Sequence, residues 1–328
     1  MRVILNTYPS AFAMPGGGER QIMDIHAELP AQGIQPLLYD LWQPRLDEAD
    51  LVHFFSVASG SLPFCTHVKD YGLPLILSPN MWIDSHNATS FDLDEITALL
   101  QIADAIIVNS YVEADNLHSI LDIPESKINV VHSGISESFM TQADPELVPK
   151  TIGIEGQFLL CIGSLHPHKN QLSLIQAVKR FPATRLLLFG HIRDEAYANL
   201  CMKEGGEQVI YAGSVPHSAD LLKSTMAACS AFILPSFSES PSIASIEAAA
   251  QGANLILTRI GSQQEYFGDH AQYIDPHDID GISEAIRIAL ENNGRNDALR
   301  EITLKQYTIS NSCDKVAAVY RNLFTGGT

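Results

Sequence analysis

Short apolar runs alternate with helix-patterned stretches along nearly the whole chain, and this alternation constrains the fold more than any other feature. Residues 2–6 ("RVILN"), 36–41 ("PLLYDL"), 51–55 ("LVHFF"), 74–78 ("PLILS"), 105–109 ("AIIVN") and 128–131 ("INVV") read as strands, with helix candidates near 18–29, 93–102 and 110–121. After a polar, Pro-containing stretch at 141–156 with no sustained period, the pattern restarts with "FLLCIG", "RLLLFG", "QVIYAG", "AFILP" and "ANLILT". Strands alternating with helices indicate parallel α/β layers. The expected fold class is therefore α/β, with two doubly wound Rossmann-like domains facing across a cleft and ligands at the carboxyl ends of the strands. The spacing predicts an N-terminal domain over residues 1–145, a linker over 146–156 and a C-terminal domain over 157–308. Val316, Val319, Tyr320 and Leu323 have helical spacing, so residues 309–328 are expected to pack back toward the N-terminal domain.

Composition narrows the functional classes. The 328 residues are 46% hydrophobic and 18% charged, enough for two ordinary cores. The 5 cysteines are scattered and never form a CxxC pair, so neither a disulfide framework nor a zinc site is indicated. The first residues lack the long apolar centre of a signal peptide, and no run approaches the ~18 apolar residues of a membrane span. A reduced, soluble, cytoplasmic protein is expected. Net charge is −18, and residues up to 150 hold 6 Lys/Arg against 20 Asp/Glu, with 14 against 18 beyond. Such acidity opposes nucleic-acid binding and docking to anionic lipid, leaving at most weak peripheral membrane contact.

The stretch "SFSESPSIASIEAAAQG" (236–252) is the most informative chemically. Ser242 suits the N-cap of a helix running from Ile243 to about Gln251, with Gly252 as its stop, and Pro241 is tolerated only at such a start. Glu239 then projects from the preceding loop and Glu247 lies one to two turns inside. Free N–H groups at a helix start attract anions, and an ionised carboxylate accepting from a sugar hydroxyl contributes roughly 1.5 to 3 kcal/mol. A phosphate at the helix start with hydroxyls on either side fits this arrangement. So does a capped surface helix with two solvated glutamates.

The wider stretch "ILPSFSESPSIASIEAAAQGANLILT" resembles the signature of family 4 of the retaining glycosyltransferases, of GT-B fold, also called glycosyl transferases group 1. The register matches Pro235, Ser236, Glu239, Glu247, Ala248 and Gly252, while serines 240 and 242 stand where the family has glycine. "GGGERQ" (16–21), "ADLVHFFS" (49–56), "VVHSGISESF" (130–139), "CIGSLHPHKNQLSLIQAV" and "RIGSQQEYFGDHAQYIDPHD" are similar to further family segments, in the family's chain order.

The resemblance implies a retaining, metal-independent hexosyltransferase with no cofactor. Its donor would be a UDP-, GDP- or dTDP-sugar and its acceptor a glycan or lipid-linked sugar, in surface polysaccharide or glycoconjugate synthesis. Glu239, Lys169 and Asn80 would stand at the reacting centre, Lys169 neutralising the leaving diphosphate. Glu247 would hold the nucleotide ribose, and Ser164, His168, Ser240, Pro241, Ser242, Ile243 and Glu265 would complete the donor site. Gly16, Gly17, Gly18, Arg20 and His53 would serve the acceptor or the phosphates, although the loop has no GxGxxG spacing and an ordinary flexible connection remains open. His53 equally suits a satisfied core histidine, and His166 and His168 ordinary loop positions.

Three departures stand out. Ser164 and His168 replace arginines of many members, and Asn80 replaces a histidine, which removes a general base. Retaining transfer is pictured with the leaving phosphate deprotonating the acceptor, so this loss is survivable. Asp92 and Asp94 have the spacing of a metal-dependent glycosyltransferase pair, but they also open a helical pattern where acids favour the dipole. A non-catalytic nucleotide-sugar binding protein and a GT-B nucleotide-sugar epimerase are the alternative functions.

Overall fold

The computed structural model describes residues 1–13, 15–58, 60–215, 219–292 and 294–325. The chain divides into two compact units, Met1–Gly134 with Ile309–Thr328, and Ile135–Thr308.

The first unit holds strands β1 (Arg2–Asn6), β2 (Gln35–Leu38), β3 (Leu51–Phe55), β4 (Leu75–Ser78), β5 (Ala105–Val108) and β6 (Ile128–Val130), all parallel, in the order β2-β1-β3-β4-β5-β6. Its helices are α1 (Gly17–Glu28), α2 (Leu62–Asp70), α3 (Leu93–Ile102), α4 (Tyr111–Leu121) and, from the chain's far end, α13 (Ile309–Thr325). Successive strand residues face opposite sides. Ile4, Val52 and Phe54 enter the core shared with α3, while Val3, Leu5 and Phe55 meet Ile22, Ile25, Val316 and Tyr320 of α1 and α13. Both faces being covered explains why the central strands β3, β4 and β5 are buried along their whole length. Strand β2 ends three residues short of the expected 41, because Asp40 starts a turn: its carboxylate accepts from the Trp42 N–H at 2.8 Å, and Asp40 bridges Gln43.

The second unit holds β7 (Phe158–Ile162), β8 (Arg185–Phe189), β9 (Val209–Tyr211), β10 (Ala231–Leu234), β11 (Leu255–Thr258) and β12 (Gln272–Ile274) in the parallel order β12-β11-β10-β7-β8-β9. Read from β9, this is the 3-2-1-4-5-6 order of dinucleotide-binding folds, and it reverses direction between β7 and β10. The helices are α5 (Leu147–Ile152), α6 (Gln171–Val178), α7 (Glu195–Gly205), α8 (Asp220–Ala228), α9 (Ile243–Ala250), α10 (Gln263–Phe267), α11 (Ile279–Glu291) and α12 (Asp297–Gln306).

The expected linker at 146–156 needs correction. The second unit begins at Ile135, and residues 147–152 form α5, with Val148 and Ile154 buried in the unit's core and Ile152 against it. Pro149 sits in the first turn, where its missing N–H costs no helical hydrogen bond. Three apolar residues in a polar stretch suffice to dock a short helix, although they form no sustained period.

Candidate functional site

The loops after β7 and β10 leave the second sheet where its strand order reverses, the place where such sheets bind ligands. The loop after β7 carries Ser164, His166, His168 and Lys169, and the loop after β10 carries Glu239. Their side chains meet: Lys169 Nζ donates to Glu239 Oε1 at 2.5 Å, with Glu239 only 6% exposed. Glu239 is fixed through its backbone. Its N–H donates to the Ile260 carbonyl at 3.2 Å and its carbonyl accepts from the Ser262 N–H at 3.0 Å, forming a bridge to Gly261. Any side chain at Gly261, whose φ is +119°, would begin 2.0 Å from the Glu239 carbonyl oxygen.

Asn170 ties three strand ends together. Its amide donates to the carbonyls of Pro235 (3.1 Å) and Pro276 (2.8 Å), joining the loops after β7, β10 and β12. Sequence reasoning missed this residue, along with Phe237 and His277, whose rings stack at 4.9 Å. His168 lies against the edge of Phe237 and parallel to His166, 6.0 Å away. His168 Nε2 donates to the Ser238 carbonyl at 3.0 Å, which fixes the ring. Burial, reinforced by Lys169, His168 and Arg193, pushes His166 down to about 4, so it is neutral at pH 7. Ser164 is half-buried, with its carbonyl accepting from Gln171 Nε2 at 3.0 Å.

Helix α9 follows the Glu239 loop. Ser242 is its N-cap, the hydroxyl accepting from the Ser245 N–H at 3.3 Å, so the serine that replaces a family glycine is engaged by the helix. Pro241 is buried, and Ser240 and Ile243 are half-buried beside it. Glu247 lies inside α9 at 1% exposure, which excludes the solvated-charge reading. At the far end Gly252 takes φ +77° as the helix stop. Glu265, half-buried in α10, stands near Tyr307; burial and then this carboxylate push the phenol up.

The first unit alters several expectations. Gly16 is the N-cap of α1, and Gly17 and Gly18 are in its first turn rather than in a loop. The Gly16 N–H donates to Glu19 Oε2 at 2.7 Å, so a carboxylate from this chain already occupies part of the presumed anion site. Arg20 pairs with Asp24 at 2.9 Å. Asn80 adopts φ +50°, and its amide nitrogen lies 3.5 Å from where a side chain on Gly18 would start, an ordinary contact distance that sets it beside the first turn of α1. Of the two readings open for His53, the structure supports the core histidine. At 0% exposure it bonds Tyr320 Oη through Nδ1 (2.7 Å) and Ser78 Oγ through Nε2 (2.9 Å), and burial pushes it down to about 3. Asp92 caps α3, accepting from the Glu95 N–H at 3.1 Å. Among the described residues no cluster of three His, Cys, Asp or Glu could hold a metal, and no helix is long and apolar enough to cross a membrane.

Residues 148–306 match the family model of glycosyl transferases group 1. Nearly all of the second unit lies within this match. The chain is 27% identical over 199 residues to the D-inositol 3-phosphate glycosyltransferase of Mycolicibacterium smegmatis, covering 56% of this chain and 45% of that protein. It is 26% identical over 243 residues to the O-antigen chain mannosyltransferase B of Escherichia coli, covering 68% and 62%. The matched part spans about half the length of the first of these curated relatives. Among solved structures, the sucrose-phosphate synthase of Thermosynechococcus elongatus superposes with TM-score 0.84 at 17% identity over 100% of both chains. Anabaena HepE in complex with UDP superposes with TM-score 0.80 at 15% identity, over 98% of this chain and 100% of that one. These likenesses show the GT-B fold.

Proposed function

We propose that the protein is a retaining glycosyltransferase that moves a hexose-type sugar from a nucleotide-sugar donor to a hydroxyl of a glycan or lipid-linked sugar, without a bound metal. The observation that carries the reading is the meeting of Lys169 and Glu239 at the reversal point of a dinucleotide-type sheet, with the buried Glu247 on α9, the helix that follows the Glu239 loop. Support for the donor class comes from HepE, solved with UDP and with UDP-glucose. Support for synthesis of surface polysaccharide or glycoconjugate comes from the O-antigen and inositol-phosphate relatives. The overall charge of −18 favours a neutral acceptor over a polyanion.

In this reading Lys169 faces the donor diphosphate. Departure of the diphosphate is the hard step, and a cation placed where negative charge develops lowers its barrier. Glu239 accepts from hydroxyls of the donor sugar and Glu247 from the ribose. The bond from the anomeric carbon to the phosphate oxygen breaks while a bond to the acceptor oxygen forms on the same face. The acceptor proton passes to the leaving phosphate, so no protein base is needed. Incubating the protein with UDP-, GDP- and dTDP-sugars and neutral glycan acceptors, followed by product analysis, tests the reading. A new α-linked glycan from an α-linked donor is expected. Nucleotide binding with neither transfer nor donor hydrolysis would assign a binding protein instead, and an altered nucleotide sugar without transfer would assign an epimerase.

A further inference from the structure

We propose that Glu239 makes the site discriminate the intact nucleotide-sugar donor from the nucleoside diphosphate left after transfer, and so drives product release; this rests on the donor-site reading above. The Lys169 ammonium is committed to Glu239 at 2.5 Å, and the carboxylate is 6% exposed. The Glu239 backbone, bridged to Gly261, fixes where this side chain leaves the chain.

An arriving diphosphate competes with Glu239 for the same ammonium. Drawing Lys169 away leaves a buried carboxylate short of its cation, which is strongly unfavourable unless other donors replace it. An intact donor brings such replacements, because sugar hydroxyls donate to an ionised carboxylate. The product does not, since its sugar has left with the acceptor. Free nucleoside diphosphate must therefore hold Lys169 against the full pull of Glu239, and re-formation of the ion pair favours its departure. The penalty falls on product and not on donor. No neighbouring imidazole relieves it at pH 7, because His166 is neutral there and His168 Nε2 is held by the Ser238 carbonyl.

The experiment measures, by calorimetric titration, the Kd of UDP and of UDP-glucose, and of GDP and GDP-mannose, for wild type and Glu239→Gln. The amide keeps the shape of the carboxylate and removes its charge. The inference expects the two ligands of a bound pair to move in opposite directions: the free diphosphate binds about tenfold tighter, and the sugar nucleotide about tenfold weaker. Shifts in the same direction, or a weakened diphosphate, would overturn it while leaving the transferase reading intact. If wild type binds none of the four ligands, nor dTDP and dTDP-glucose titrated in the same way, the donor-site reading itself fails. Should Glu239→Gln not fold, the double exchange Lys169→Gln, Glu239→Gln removes both charges together. Discrimination between the two ligands must then shrink, and an unchanged ratio overturns the inference.

Discussion

His53 in the first unit and His168 in the second each commit Nε2 to a serine, but in opposite surroundings. His53 is sealed among Phe55, Ser78 and Tyr320, with both ring nitrogens satisfied by side chains of the core. His168 is exposed on a loop beside Lys169, and its partner is a backbone carbonyl of the Glu239 loop. The first arrangement joins β3, β4 and α13 and is structural. The second aligns two strand-end loops around a charged pair whose lysine side chain keeps 21% exposure. Burial explains the difference: a fully buried polar group contributes when every partner is internal, whereas chemistry requires groups whose partners can be exchanged. Substitutions in the two clusters should therefore have separable consequences.

The largest effect is expected at Lys169. Lys169→Ala should lower turnover by roughly 10²- to 10³-fold, the scale of removing one charge-stabilising group at a transition state, and the double exchange Lys169→Gln, Glu239→Gln, which strands no buried charge, should do the same with little change in the thermal midpoint. Measured turnover close to wild type would undo the contrast between the clusters.

His53 should behave in the reverse manner. His53→Ala leaves the Tyr320 and Ser78 hydroxyls without their partner and opens a cavity, so a stability loss of about 2–4 kcal/mol is expected in urea unfolding, with nucleotide affinity retained. The pH dependence follows with a definite sign. Below its ordinary value of 6.5 the unfolded chain protonates this imidazole, while the folded protein resists until about 3. The unfolded state thus binds more protons across that window, and stability falls as pH falls, by up to about 1.4 kcal/mol per pH unit. A His53→Gln variant should show a flatter decline between pH 6 and 4, and an identical decline would place the sensitivity elsewhere.

Much of this contrast is local and hence legible in the sequence. The strand runs, the Ser242 cap and the Gly252 stop all depend on neighbours within a few residues. Chain order alone also sets Lys169 after one strand and Glu239 after another. What the sequence does not carry is which strands are adjacent in space: β7 lies beside β10 across 68 intervening residues, and only that pairing brings the two side chains together. The same limit hid Asn170, whose two acceptors are 65 and 106 residues away. It also hid the pairing of Tyr320 with His53 across 267 positions, without which a ligand-facing His53 stays open. The cap on Gly16 was missed for another reason. "GGGERQ" contains Glu19 at the right spacing for a capping box, but a glycine N-cap has no side chain to complete the motif.

A smaller change is expected at Glu247. Its carboxylate lies in α9 at 1% exposure, and in the donor reading it accepts from the ribose. Glu247→Ala should weaken binding of the free nucleotide by about tenfold, about 1.4 kcal/mol, whereas Glu239→Ala should lower turnover without weakening the free diphosphate. Equal effects of both variants on both quantities would merge the two roles.

The smallest effect concerns the acidic pair Asp92 and Asp94, which tests whether carboxylates of the first unit take part in chemistry at all. Asp92 accepts from the Glu95 N–H as the cap of α3, and Asp94 is exposed in the first turn. Asp92→Ala should therefore cost about 1 kcal/mol of stability, the usual worth of such a cap, and Asp92→Asn or Asp92→Ser should restore most of it because either side chain caps nearly as well. Transfer should be unaffected by all three variants and by a chelator. The rescue discriminates the two explanations: a metal ligand is not replaced by serine, so activity that falls in Asp92→Ser while the helix remains stable would give the pair a catalytic role and end the division of labour between the units.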